Sequence, residues 1–234
     1  MQILILALPL MAALGGTKGL EERRLDHPWG RWHAGAWVRT ESTSTSHAGS
    51  VLVERDQLIG TGSETYELES VLEVEGGDVT TELNSSWAMG GHAYALGDAQ
   101  LVGTESLTIE GRQHECEVWE GRWTQGGQTF AERTWVSADL SYPVRAVTRG
   151  GGIELDVSMT RTREFTMVKD RKLECMRLEG RGSVRGAPVS VTLWMSAHVP
   201  GGLVRRETRT KGASGEQVMI KQVTEFHGEL ARGR

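Results

Sequence analysis

Two triplets come nearest to chemistry in this sequence: Glu120-Gly121-Arg122 and, 59 positions later, Glu179-Gly180-Arg181. Residues two apart in a strand share a face, so each triplet sets a carboxylate beside a guanidinium. That pairing could serve acid–base catalysis if burial tuned either group, yet an exposed cross-strand ion pair accounts for the same residues at low cost. The other candidates are incomplete. Gly60-Thr61-Gly62-Ser63 lacks the lysine of a phosphate loop, and no helical pattern follows it. Gly212-Ala213-Ser214-Gly215 is one residue short of a nucleophile elbow and reads as a hairpin turn. The seven His are scattered, with none at helical metal spacing. His114 and Cys116 share a strand face, but Leu173 stands where a second His would have to be. The expectation is a protein that is not an enzyme, with no catalytic residues, no metal and no cofactor.

The triplets belong to a longer echo. Shifting Arg112–Ala138 by 59 positions onto Arg171–Ala197 matches ten of 27 residues, where chance gives about two at ordinary residue frequencies. The matched set includes both cysteines, Cys116 and Cys175, and the pair Trp135 and Trp194. A shorter echo, Val-Arg-x-x-Ser/Thr, opens at Val38, Val144 and Val204. An internal repeat organises a fold before it says anything about function.

Alternation assigns faces. Val189, Val191, Leu193 and Met195 point one way, and Ser190, Thr192, Trp194 and Ser196 the other. The first copy keeps this in outline, with Trp135 on the face opposite Val136. Each copy therefore sets one Trp on an otherwise small or polar face. Such a Trp can cover a sheet edge with its N–H bonded to backbone, floor a ligand cleft or anchor a protein contact. Trp135 and Trp194 are the candidate ligand-binding residues. Cys116 and Cys175 fit either a disulfide, which needs Cα atoms within about 7 Å, or two buried unpaired thiols.

These residues must sit on strands. From Ala36 to Phe226 the chain runs in short segments that alternate or carry β-branched residues, separated by Gly, and no three-turn stretch has helical apolar spacing. Gly90–Gly103 is less regular and reads as a crossing loop or short helix. The fold class expected is all-β, an antiparallel meander of repeated hairpins forming a curved sheet, half-barrel or incomplete barrel. Residues 27–234 form one β domain, with repeat units at 107–165 and 166–226 and a linker at 17–26.

Met1–Gly16 is uncharged and apolar, has the length of a signal-peptide core, and ends in a small-x-small site at Ala13-Leu14-Gly15. It is too short to span a bilayer. Export to the periplasm or outside is expected, with no transmembrane span in the mature chain; the alternative reading of the run is a buried N-terminal strand or helix. A net charge of −5 with no basic stripe argues against nucleic acid as a partner.

The strings Gly111-x4-Cys116 with Trp135-x-Ser137, and Asp170-x4-Cys175 with Trp194-x-Ser196-x2-Val199-Pro200-Gly201-Gly202-x-Val204-Arg205, resemble a module of exported bacterial β-rich proteins of unknown function. Gly35-Ala36-Trp37-Val38 is similar to a strand such proteins carry near the mature N-terminus. More loosely, the pattern resembles the curved half-barrel of periplasmic lipoprotein carriers. The first copy departs from it, with Ser141-Tyr142-Pro143 in place of Val-Pro-Gly-Gly. The resemblance implies an exported, sheet-forming, ligand-holding protein and carries over no catalytic residue. Two functions are expected from this: a carrier of a hydrophobic small molecule or lipid on the curved sheet, or a structural or interaction module of the cell envelope. Oligomeric state is not legible.

Overall fold

A computed structural model describes residues 29–230, apart from 48–49, 62–64, 75–78, 89–99, 126, 138, 141 and 213–214. The leader expected at Met1–Gly16 and the linker lie outside the described residues. The thirteen strands, in chain order, are β1 (Trp37–Ser44), β2 (Val51–Thr61), β3 (Thr65–Val74), β4 (Val79–Ala88), β5 (Gln100–Ile109), β6 (Arg112–Gln125), β7 (Gln128–Ser137), β8 (Tyr142–Gly150), β9 (Ile153–Val168), β10 (Arg171–Val184), β11 (Ala187–Met195), β12 (Leu203–Gly212) and β13 (Gly215–His227). A single 3-10 turn, Thr45–His47, is the one helical element among the described residues. Of the stretch expected to be a crossing loop or short helix, residues 90–99 lie outside the described residues and residues 100–103 belong to β5.

All strands belong to one antiparallel sheet in the order β4-β3-β2-β1-β13-β12-β11-β10-β9-β8-β7-β6-β5. Consecutive strands pair from β1 to β4 and from β5 to β13, and one long-range junction, where β1 pairs β13, joins the two runs. The sheet does not close: β4 and β5, neighbours in the chain, are its two edges. The fold is thus an open all-β meander.

The sheet is strongly coiled. Glu110, in the β5–β6 turn, accepts hydrogen bonds from the Thr162 amide (2.9 Å) and hydroxyl (2.6 Å) and pairs with Arg161. β6 and β9 are three strand spacings apart, about 14 Å in a flat sheet, so that contact requires curvature. Lys169 likewise pairs with Glu225 of β13 at 3.2 Å. Curvature is taken up by register slips in β9/β10 near Cys175 and Arg177 and in β7/β8 at Trp135/Val136, as expected where extra residues force a strand to bend. β8 pairs β9 only as far as Ser158, and Glu110 satisfies an amide of β9 beyond that point.

Two clusters of buried apolar side chains fill the fold. One gathers Val144, Ala146, Leu155, Val157, Met159, Leu178 and the β11 row Val189–Met195. The other gathers Val38, Leu58, Leu68, Leu173, Cys175, Val199, Val204 and Val223 under Trp29 and Trp32. The turn Val199-Pro200-Gly201-Gly202 requires its glycines here. Gly201 and Gly202 adopt φ of 74° and 77°, and the Gly201 Cα faces the Trp29 ring so closely that a Cβ would touch it.

Candidate functional site

Cross-strand partners share a sheet face, so the register assigns the two faces. One row runs Leu178, Leu193, Arg206, Lys221, Ser42 across β10, β11, β12, β13 and β1. The opposite face carries Trp135, Arg145, Ser158, Glu179, Thr192 and Glu207, from β7 to β12. Trp194 lies two residues from Thr192 on β11, so both candidate tryptophans project to this second, charged face. Trp37 joins them through the row Trp194, Arg205, Gln222, Glu41.

Each tryptophan is stacked by arginine. Arg145 lies 4.7 Å and Arg133 5.1 Å from the Trp135 ring centre. Arg205 (5.2 Å) and Arg177 (5.6 Å) flank Trp194, and Arg55 covers Trp37 at 4.7 Å. Contacts of this kind contribute about 0.5–2 kcal/mol each, more when desolvated. Trp135 is buried, and its indole N–H donates to Glu105 at 2.7 Å. That bond, with Arg133 and Arg145 nearby, holds the Glu105 carboxyl below its ordinary range. Arg145 in turn forms a two-pronged bridge to Asp156, at 3.0 and 2.6 Å, which makes its guanidinium hold its proton more tightly. The second and third copies of the Val-Arg echo thus supply, as Arg145 and Arg205, a cation that stacks on the Trp of the preceding strand, whereas Arg39 of the first copy pairs with Glu41. The serine two residues after Trp135 and that two residues after Trp194 each cap the following turn. Ser137 Oγ accepts from the Leu140 amide, and Ser196 Oγ accepts from the His198 amide while donating to the Glu174 carbonyl.

Trp135 lies in the floor of an open trough of about 840 Å³ on the charged face. Its walls come from β5 to β8, including Gln100, Val102, Glu105, Glu120, Arg122 and Arg149. A smaller depression of about 260 Å³ continues it through Arg149 toward Asp156 and Arg181. Trp194 is not among the residues lining either depression. The Glu120 and Arg122 of the first triplet both line the trough, and Glu120 pairs with Arg133 at 3.3 Å. In the second triplet Glu179 pairs with Arg177 at 2.6 Å. Arg122 and Arg181 have no carboxylate partner among the described residues.

Cys116 and Cys175 each occupy the fifth position of a 14-residue strand, β6 and β10. Both are buried and free, with Sγ near the carbonyl two residues back. The candidate disulfide is therefore not formed: four strand spacings separate β6 from β10, and the two thiols belong to different clusters. Burial raises both thiols to about 11. His114 Nδ1, on the same face as Cys116, sits 3.6 Å from the Asp139 carboxylate.

Sequence reasoning missed a largely buried charge cluster between β12, β13, β1, β2 and β3, in which Arg206 is buried and Lys221, Glu54 and Asp56 are part-buried. Lys221 Nζ donates to Glu54 at 2.6 Å, and Ser70 Oγ donates to Asp56 at 2.6 Å. Arg206 is buried on the same face, with Thr40 and Thr208. Burial, then the Glu54 charge, push Asp56 up to about 6 against the pull of Lys221 and Ser70. A signal was present: Leu52, Glu54, Asp56 and Leu58 share one parity of β2, placing the two acids on the face that buries Leu58.

No protein-family model matches the chain and no curated protein matches its sequence. Among solved structures, it is similar to one described as an exported protein with a YmcC-like fold from Bacteroides fragilis, at 8% identity and TM-score 0.39, covering 83% of this chain and 96% of that one. A structure described as a lipoprotein from Parabacteroides distasonis matches at 11% identity and TM-score 0.33, covering 84% and 96%. MucB in complex with MucA matches at 11% identity and TM-score 0.20, covering 91% and 98%.

Proposed function

We propose that the chain is exported to the cell envelope and acts there as a non-catalytic interaction module, taking an extended segment of a partner protein along β5 and across the trough beside it. Export rests on the leader-like Met1–Gly16. The observation that carries the binding reading is the placement of β5. It is a sheet edge, Leu101 and Val102 are half exposed, and Gln100, Val102 and Glu105 form the near wall of the trough. A strand added to such an edge gains backbone hydrogen bonds, while its alternate side chains find neighbouring pockets. Arg122, with no carboxylate partner among the described residues, offers its guanidinium to an acidic side chain of that strand. The trough itself is lined by arginine and glutamate around the indole, which suits a polypeptide better than an acyl chain.

The test is a photoreactive residue at position 101 in the native envelope. The expected result is one crosslinked protein, lost when Val102→Lys and Thr104→Lys place charge on the edge. Organic extraction of the purified protein runs beside it. A lipid recovered at one equivalent, with no crosslinked protein, would overturn this reading in favour of a carrier.

A further inference from the structure

Strand β9 changes the face it buries. In its first half Leu155, Val157 and Met159 are buried. Beyond the register slips, the same parity of the strand continues with Phe165 and Met167, which are 47% and 52% exposed. The outer half buries its other side instead: Val168, with Leu173 and Cys175 of β10, belongs to the cluster under Trp29 and Trp32. Two large apolar side chains at i and i+2 are thereby left uncovered at the turn end of the longest hairpin. Isolated exposed apolar residues are ordinary, but an adjacent pair on one face calls for an occupant.

The surroundings say which occupant. Lys172 is the cross-strand neighbour of Met167, and its Nζ lies 4.3 Å from the Phe165 ring centre. Arg163 stacks on the same ring at 5.4 Å and bridges to Glu174. Residues 161–174 hold five cations and three acids in a chain of net charge −5. Of the other three cations, Arg161 is paired with Glu110, Lys169 with Glu225, and Arg171 lies over the Phe226 ring at 4.5 Å, so Lys172 and Arg163 are the cations set against Phe165. Lys172 has no carboxylate partner among the described residues. An apolar centre with a cationic rim, at the tip of a hairpin and not in a hollow, matches the boundary between acyl chains and anionic headgroups.

We propose that the β9–β10 hairpin end is a docking surface for an anionic bilayer, with Phe165 and Met167 entering the interface and Lys172, Arg163 and their neighbours meeting lipid phosphates. This surface is separate from β5 and its trough, so either reading can fail alone.

The experiment is flotation of the full chain with phosphatidylcholine vesicles, with and without phosphatidylglycerol, at low and high salt. Wild-type protein should float with the anionic vesicles at low salt and release at high salt. Phe165→Ser combined with Met167→Ser should weaken partitioning about tenfold or more, and Lys172→Gln alone about fivefold. Circular dichroism melts check that the folds persist, and the single Lys172→Gln substitution, at an exposed position, serves if the double variant unfolds. Wild-type protein that ignores vesicles but binds polyglutamate would overturn the proposal in favour of an acidic polypeptide. Equal flotation of wild type and both variants would also overturn it, by placing membrane binding elsewhere in the chain.

Discussion

Asp56→Asn should make this protein more stable at neutral pH. The Asp56 carboxyl is buried beside Glu54, and its pKa is raised from 3.8 to about 6. A tenfold change in proton affinity is worth about 1.4 kcal/mol, so keeping Asp56 ionised in the fold costs about 3 kcal/mol above pH 6. The stability linked to this group is fully present below pH 3.8, is lost as pH rises toward 6, and is absent above that. Asparagine removes the charge and keeps an oxygen for the Ser70 hydroxyl, which donates at 2.6 Å. The raised pKa is already net of the Lys221 attraction; the gain is an upper figure because the asparagine amide brings N–H donors that need partners of their own in the site. It is nonetheless large against the 5–15 kcal/mol of a typical domain. Urea unfolding of both proteins at pH 7.5 and pH 4.5 measures it. The variant should lead by up to about 3 kcal/mol at the higher pH, with the lead shrinking at the lower. A variant less stable than wild type at pH 7.5, or a lead independent of pH, would refute the reasoning.

Trp135→Ala removes a buried indole and should cost about 3–5 kcal/mol in a chemical melt; Trp194→Ala, half-buried between two arginines, should cost clearly less. Glu110→Ala frees the Thr162 amide, so hydrogen exchange at Thr162 should quicken while the β10–β11 ladder keeps its protection. Cys116 and Cys175, buried and protonated at neutral pH, should resist maleimide until urea unfolds the chain, and reductant should leave the intact mass unchanged. Rapid labelling of either thiol in the folded protein would contradict the structure.

The local architecture was legible from period-2 alternation. Trp37, Val51, Thr65 and Val79 each begin a run that alternates or carries β-branched residues, and each opens a strand. Faces within a strand were legible too: β11 buries Val189, Val191, Leu193 and Met195 as the pattern requires. The Trp135 and Trp194 side chains share a face for the same reason. β5 was not legible over its whole length, since Gln100–Gly103 is exposed on both sides of an edge and has no apolar stripe to betray it. The acids of β2 were overlooked because a carboxylate among leucines reads as a solvent-facing residue unless the strand's parity is carried through.

The sequence by itself determined strands, hairpins and the two faces of each strand, because alternation is a local property written in neighbouring residues. Only the tertiary structure decided that β1 pairs β13, which sets the first four strands beyond the last and leaves β4 and β5 as edges. The same coiling covers Met159 yet leaves Phe165 bare on one strand, and encloses Glu54, Asp56, Arg206 and Lys221 together. Which strands meet, and what lies over a given face, depends on contacts between residues far apart in the chain, and no periodicity within a strand encodes them.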